Sequence, residues 1–486
     1  MGTHSCESRP GVAVYESLTS QVEQMAAFAS GARFEALGSD TRQQLKIRIL
    51  DALGCGVGAL HGEPTRMIRG YINELGSTGH CTLIGGGFTD IDRAALYNSA
   101  LIRYLDFNDS YMAKGETCHP SDNLGAILAA GEYIGAAGRD LMTALAVAYQ
   151  VQCRLCDVAP VRARGFDHTV QGAYAVAAGV SRILKLDQSR TANALAISGT
   201  AFIALRVART GKLSHWKGLA YPNLAACCTR ATLLARHGIT GPLEVIEGEK
   251  GLMDAITGYF QMSWPGEDLG DVGRTTVKKY NAEIHSQTAI EAVLTLLRRY
   301  QFSSTDITRV EVEIFDVAYN IIGGGEEGDK TTVFTKEQAD HSLPYVVAVA
   351  ILDGQVMPEQ YEQKRILRAD VQELLGKVSV QSRTQFSERF PNEMACRVKI
   401  TLNDGRVLEQ ETKDYEGFFA RPMSWETAIQ KFNEITTPHA SAAQRTAIAD
   451  AVANLEQVTV RELMERLGAV GQNLGTSRVS GAQKES

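Results

Sequence analysis

At 486 residues the chain exceeds what one hydrophobic core usually organises, which predicts two domains. Hydrophobic residues are 44% and charged residues 22% of it, the balance of a globular chain rather than a disordered or membrane-embedded one. A formal net charge of -7 leaves no basic footprint for nucleic acid or an anionic membrane, so an anionic ligand would need a local cluster of cations.

The opening "MGTHSCESRPG" lacks the apolar segment of a signal peptide, and Cys6 stands where a myristoylation signal wants Ser or Thr, so a flexible tail on a cytoplasmic protein is expected. Nine cysteines at irregular positions predict reduced thiols and no disulfides. From about residue 17 to 265, apolar residues recur at helical spacing, as in "TRQQLKIRILDALGCGVGAL", "RAALYNSALIRYLDF", "NLGAILAAGEYIGAAG" and "DLMTALAVAYQVQCRL". This predicts a helical domain over 12–272, with "GSTGHCTLIGGG" as a turn and short strands. The glycines of "LGCGVGAL" sit in a helical pattern, so they read as close helix packing rather than a nucleotide loop. The longest apolar run, around "LMTALAVAYQVQ", falls short of the roughly 18 residues a membrane span needs.

After "MSWPGEDLGDVGR" the pattern alternates in "RVEVEIFDVA", "GKVSVQS" and "CRVKITLNDGRVLEQET", which predicts strands. Asn403-Asp404-Gly405 marks a tight turn, so 395–402 and 406–412 should pair as a hairpin. With "SLPYVVAVAILDG" and "ADVQELLGKV" as helices, 273–415 reads as a smaller α+β domain. Helical periodicity returns over 416–469 and predicts helices that dock back on the first domain, before a flexible tail over 470–486. The fold class is therefore mostly α, a large helical domain interrupted by an α+β unit.

Five polar clusters stand at helix starts. "DFNDSYMAKGETCHPSDN" carries Asp106, Ser110 and His119; Asp106 and Ser110 share a face if the preceding helix continues, and Ser121 or Asp122 can cap the next one. Taken alone, the stretch reads as a solvated loop. "RARGFDHT" carries His168, an acid or base or simply the residue that closes a helix start. "RVARTGKLSHWKG" gathers Arg206, Arg209, Lys212, His215 and Lys217, the densest receptor for a multiply charged anion. "TVKKYNAEIHSQTAIEAV" brings Lys278, Glu283 and His285 to the domain junction, where ligands usually bind, and "KEQADHSLPYVVAVAIL" adds Asp340, His341 and Tyr345. Cys153 and Cys156, with Cys81 or Cys118 upstream, have the spacing of an iron–sulfur ligand set; their helical context favours small buried hydrophobes and argues against zinc.

Four of these stretches, "RYLDFNDSYMAKGETCHPSDNLGAILA", "RGFDHT", "KKYNAEIHSQTAIEA" and "DHSLPYVVAVAILDG", resemble the MmgE/PrpD family in wording and order. The first and third are most similar to members that dehydrate 2-methylcitrate in propionate breakdown. The resemblance implies a helical domain with a lid, a homodimer, a tricarboxylate substrate, and catalysis without metal, cofactor or iron–sulfur cluster. Matched motif by motif, it implies Asp106, His119, His168, Lys217 and Tyr345 as catalytic residues, and Ser110, Lys278, Glu283 and His285 as substrate-binding ones. Arg209 and His341, from the clusters above, complete the expected binding set.

Eliminating water from a 2-hydroxy tricarboxylate needs a base, an acid and concentrated positive charge. Lys217 and Lys278 are expected to hold carboxylates and stabilise the aci-carboxylate, while His119 and His168 share the proton transfers, oriented by Asp106; which imidazole is the base is left open. Asp109, Glu116 and Asp122 are assigned to capping and solvation. Relatives that decarboxylate cis-aconitate carry His where this sequence has Glu283, an acid that would repel a substrate carboxylate unless protonated or paired, with Lys278 as the candidate partner. That favours dehydration of 2-methylcitrate, citrate or both, since one methyl is worth only about 1–3 kcal/mol of discrimination. The alternatives are cis-aconitate decarboxylation and a non-catalytic carboxylate-binding member.

Overall fold

The computed structural model describes residues 19–210, 213–264 and 269–471. The expected N-terminal tail, Lys212 and nearly all of the expected C-terminal tail lie outside them. The fold is mostly α-helical with a small α+β unit. Two hydrophobic cores organise it. One runs from Val22 to Val277 and resumes from Met423 to Val470. The other gathers residues from Tyr280 to Phe418, joined by Met112.

The first core is built from helices whose small residues let backbones approach. The helix Leu124–Ile134 lies against Ile91–Tyr104 so closely that a Cβ at Gly125 would fall 2.5 Å from the Ser99 nitrogen. The chain returns through Trp425–Thr436, which lies across Ser39–Gly58; a Cβ at Gly54 would come within 3.0 Å of the Phe432 ring. The last helices thus complete the core that the first ones began.

The second core is covered by a four-stranded sheet in the order Val378–Ser382, Ile307–Ile314, Cys396–Leu402, Val407–Thr412. The first pair is parallel and the others antiparallel. Cys396, Val398, Ile400 and Leu402 are buried while the residues between them are half-buried, the alternation of a strand with one covered face. Gly405, at φ 87°, closes the hairpin in the left-handed region that glycine enters freely. The turn keeps Arg406, one residue more than the spacing predicts.

No helix among the described residues is long and apolar enough to cross a membrane. The eight described cysteines are all free thiols.

Candidate active site

Two distant segments are stitched side by side where the cores meet. Ser110 and Thr276 exchange backbone hydrogen bonds of 2.8 and 2.7 Å, and Asn281 Nδ2 donates to the Leu105 carbonyl at 2.8 Å. Lys431, from the returning helix, is buried and donates to the carbonyl oxygens of Phe107 (2.8 Å) and Lys278 (2.7 Å) while its ammonium pairs with Asp51 at 2.6 Å. The returning helix therefore fixes the backbone on which Asp106 and Lys278 are carried.

The helix before Asp106 does not continue through it but stops at Tyr104, and Asp106 stands at φ 54°. A left-handed non-glycine residue costs roughly 1–2 kcal/mol, offset here by its ion pairs. Asp106 Oδ1 accepts from Arg103 Nη1 (2.5 Å) and Lys278 Nζ (2.8 Å), and Oδ2 lies 3.5 Å from Lys217 Nζ. Burial alone would raise its pKa, but Arg103, Lys278 and Lys217 hold the carboxyl well below the usual range. Lys217 also lies 3.2 Å from Asp340 Oδ1 and 2.9 Å from His341 Nδ1. Burial, only partly offset by Asp340 and Asp106, lowers its pKa.

His119 and His168 face each other edge to face, ring centroids 5.5 Å apart. His119 Nδ1 lies 2.8 Å from the Asp109 carbonyl oxygen and 3.1 Å from Ser110 Oγ. A carbonyl only accepts, so Nδ1 carries the proton and Nε2 keeps its lone pair. Burial, reinforced by Arg103 and Lys278, pushes its pKa well down, so the ring is neutral. His168 Nδ1 is 3.1 Å from Asp167 Oδ1, its Nε2 is buried without a hydrogen-bond partner, and burial pushes its pKa down to about 3. The expectation that Asp106 orients the two imidazoles is not met: their ring nitrogens meet Asp109, Ser110 and Asp167 instead. The Asp109 backbone and Asp167 do that work, and Arg209, expected to bind substrate, grips Asp167 through Nε.

Glu283 pairs with His285 rather than with Lys278: Oε1 lies 2.7 Å from His285 Nδ1 and Oε2 accepts from its backbone N–H at 2.8 Å. Burial opposes ionisation, but His285 holds the carboxyl down at about 2. His119, His168, Lys278, Arg209, Glu283, His285 and His341 all line one cleft, with Arg103, Asp106 and Glu116. Lys217 and Asp340 line an adjoining cavity that shares Arg103 and Asp106 with it. Tyr345, expected to be catalytic, is not brought to the cleft. It is wholly buried in the second core, its hydroxyl donating to the Gln360 carbonyl.

The solvation assigned to three acids is overturned, because Asp109, Glu116 and Asp122 are buried; Asp109 and Glu116 do meet N–H groups at the starts of helical turns. Asp109 accepts from Tyr149 Oη at 2.6 Å and Ser121 N at 3.0 Å, Glu116 from the N–H groups of Val161 and Arg162 at 3.0 Å, and Asp122 from Asn108 Nδ2 at 2.7 Å. The stretch is a structural wall, not a solvated loop.

Both halves of the chain match family models, the MmgE/PrpD N-terminal domain over residues 23–265 and the MmgE/PrpD C-terminal domain over residues 280–457. The chain belongs to the MmgE/PrpD family. Among its relatives, the 2-methylcitrate dehydratase of Escherichia coli (strain K12) is 27% identical over 403 residues, covering 76% of this chain and 80% of that protein. The 2-methylcitrate dehydratase of Salmonella typhi is 27% identical over 458 residues, 86% and 91% of the two chains. The cis-aconitate decarboxylase of Mus musculus is 25% identical over 439 residues, 85% and 86%.

In this MmgE/PrpD chain, two residues not singled out from sequence stand beside those that were: Arg103 lines the cleft, and Asp167 holds His168 and Arg209. Arg103 stands three residues before Asp106, at the end of the helix that Asp106 follows. Asp106, Asp340 and His341 are, among the described residues, the one group of acid and imidazole donors close enough together to hold a metal ion. The Lys217 ammonium sits against all three and already supplies the positive charge there. Cys118, Cys153 and Cys156 pack in a small cluster with Tyr111 and Ala113, and burial raises all three thiols, Cys153 to about 11.

Proposed function

We propose that the protein is a hydro-lyase that eliminates water from 2-methylcitrate to give 2-methyl-cis-aconitate, accepting citrate as well. The observation that carries this reading is His119: a neutral imidazole whose Nδ1–H is fixed on the Asp109 carbonyl, in a cleft lined by Arg103, Lys278 and Arg209. It is supported by the 2-methylcitrate dehydratases among the relatives.

In the reaction, His119 Nε2 takes the proton next to a substrate carboxylate. Lys278 and Arg103 stabilise the negative charge that develops on that carboxylate, because their charge is fixed beforehand in a water-poor setting. The C–O bond then breaks, the double bond forms, and the departing hydroxide takes a proton from Lys217, whose lowered pKa makes it the better acid. His168, neutral and held by Asp167, orients the substrate hydroxyl. The reaction leaves a protonated His119 and a neutral Lys217, which exchange a proton through solvent. We place the enzyme in the cytoplasm as a homodimer, which sedimentation of the purified protein tests.

Product analysis separates this reading from its neighbour. Incubation with 2-methylcitrate is expected to give the unsaturated tricarboxylate, and incubation with cis-aconitate is expected to give no itaconate. Itaconate without dehydration would replace the dehydratase by a decarboxylase, as in the mouse relative. Binding with no product would leave only a carboxylate-binding protein.

A further inference from the structure

The cations of the cleft are held in two different ways. Arg103, Lys278, Lys217 and Arg209 are paired with Asp106, Asp122, Asp340 and Asp167, acids no more than 6% exposed and anchored in the packed interior. Arg162 and Arg206, at the rim, are held instead by Glu327. Its Oε1 lies 3.3 Å from Arg162 Nη2 and 2.9 Å from Arg206 Nη2. Glu327 comes from the side of the second core, so these contacts span the cleft. The other acid nearby, Glu116, is committed to backbone N–H groups of Thr117, Val161 and Arg162.

The segment carrying Glu327 is a part-exposed turn outside the sheet and the long helices. Gly324 (φ 106°) and Gly328 (φ 85°) bracket it in the left-handed region. Its backbone hydrogen bonds are local, Gly325 N–H to Tyr319, Glu327 N–H to Asn320 and Gly328 N–H to Gly325. Moving it breaks no helix core and no strand ladder. Two guanidinium groups sharing one carboxylate oxygen form a receptor for a substrate carboxylate.

We propose, resting on the tricarboxylate reading above, that Glu327 is an internal stand-in for one substrate carboxylate: it occupies Arg162 and Arg206 until the substrate displaces it, so the cleft mouth is self-competing. Glu327 is a gating residue and Arg162 and Arg206 are substrate-binding residues. The competition keeps the rim arginines neutralised and favours ligands with enough carboxylates to engage both the rim and the interior cations. A monocarboxylate gains too little to displace Glu327.

Calorimetric titration with propane-1,2,3-tricarboxylate tests this, because that compound has no hydroxyl to eliminate and reports binding apart from turnover. Glu327→Gln and Glu327→Ala are expected to bind it about 3- to 10-fold more tightly than wild type. Arg206→Gln is expected to bind it about 10-fold more weakly, and adding Glu327→Gln to an Arg162→Gln/Arg206→Gln protein should change nothing further. Circular dichroism melts establish that the variants are folded. Unchanged or weaker binding by both folded Glu327 variants, or no binding by wild type, overturns the proposal. Failure of the dehydratase reading is separately visible, as absence of unsaturated product with this binding pattern intact.

Discussion

The Nδ1 of His119 lies 2.8 Å from the backbone carbonyl of Asp109, and that contact assigns the proton to Nδ1 and the lone pair to Nε2. A backbone acceptor cannot be titrated away, so the tautomer holds over the whole pH range in which the ring is neutral. His119→Ala should lower kcat by about 10²- to 10⁴-fold while the far-ultraviolet circular dichroism stays that of wild type. Near-normal turnover by the folded variant would remove His119 from the mechanism.

Lys217 contacts Asp106 and Asp340, yet neither acid depends on it alone. Asp106 keeps Arg103 and Lys278, and Asp340 keeps Lys336 at 2.9 Å. Lys217→Gln is therefore expected to lose activity by at least about 10²-fold with little change in melting temperature. A variant that unfolds at room temperature would show the lysine to be a structural counter-ion first.

Lys431 makes the opposite prediction. Its ammonium is buried against Asp51 and two carbonyl oxygens, so Lys431→Met leaves an uncompensated buried acid and is expected to cost about 3–5 kcal/mol in urea unfolding. Activity should fall as well, because Asp106 and Lys278 lose their shared backbone anchor. Stability within 1 kcal/mol of wild type, on the order of a surface pair, would contradict this.

Tyr345 separates resemblance from placement. Its hydroxyl is spent on the Gln360 carbonyl inside the second core. Tyr345→Phe should cost about 1 kcal/mol of stability and leave the rate within a few-fold of wild type. A loss on the scale of His119→Ala would return Tyr345 to the catalytic set.

The acid sensitivity of the fold should follow His168. Burial lowers its pKa from 6.5 to about 3. Between those values the unfolded chain takes up a proton that the native one refuses, so this contribution to stability is full above pH 6.5 and declines as pH falls. Near pH 5 the loss is about 2 kcal/mol. Asp122, pushed up to about 7 by burial, works in the opposite sense, which is why wild type and His168→Gln are compared at each pH. The stability difference between them should shift by about 2 kcal/mol in favour of the variant from pH 7 to pH 5; a constant difference would contradict a buried neutral His168.

What the sequence made legible was local. Helical periodicity, the turn at Asn403 to Gly405 and the alternation in "CRVKITL" each carry their own signal within a few residues. The clustering of His and Lys at helix starts and the family wording pointed to the residues of the cleft. Pairings were not legible: Lys278 meets Asp106 across 172 residues, and Asp167 passed unnoticed beside His168 because no local spacing marks a neighbour as an orienting acid. The acids of the opening stretch looked solvated because their partners, Tyr149, Arg162 and Asn108, lie on other elements or at spacings that no helix repeat predicts.

The most direct measurement is ultraviolet absorbance at the unsaturated-acid band after 2-methylcitrate is added to wild type, His119→Ala and Lys217→Gln. The account predicts a steady rise with wild type and almost none with either variant. No rise with wild type, or equal rises with all three, would contradict it.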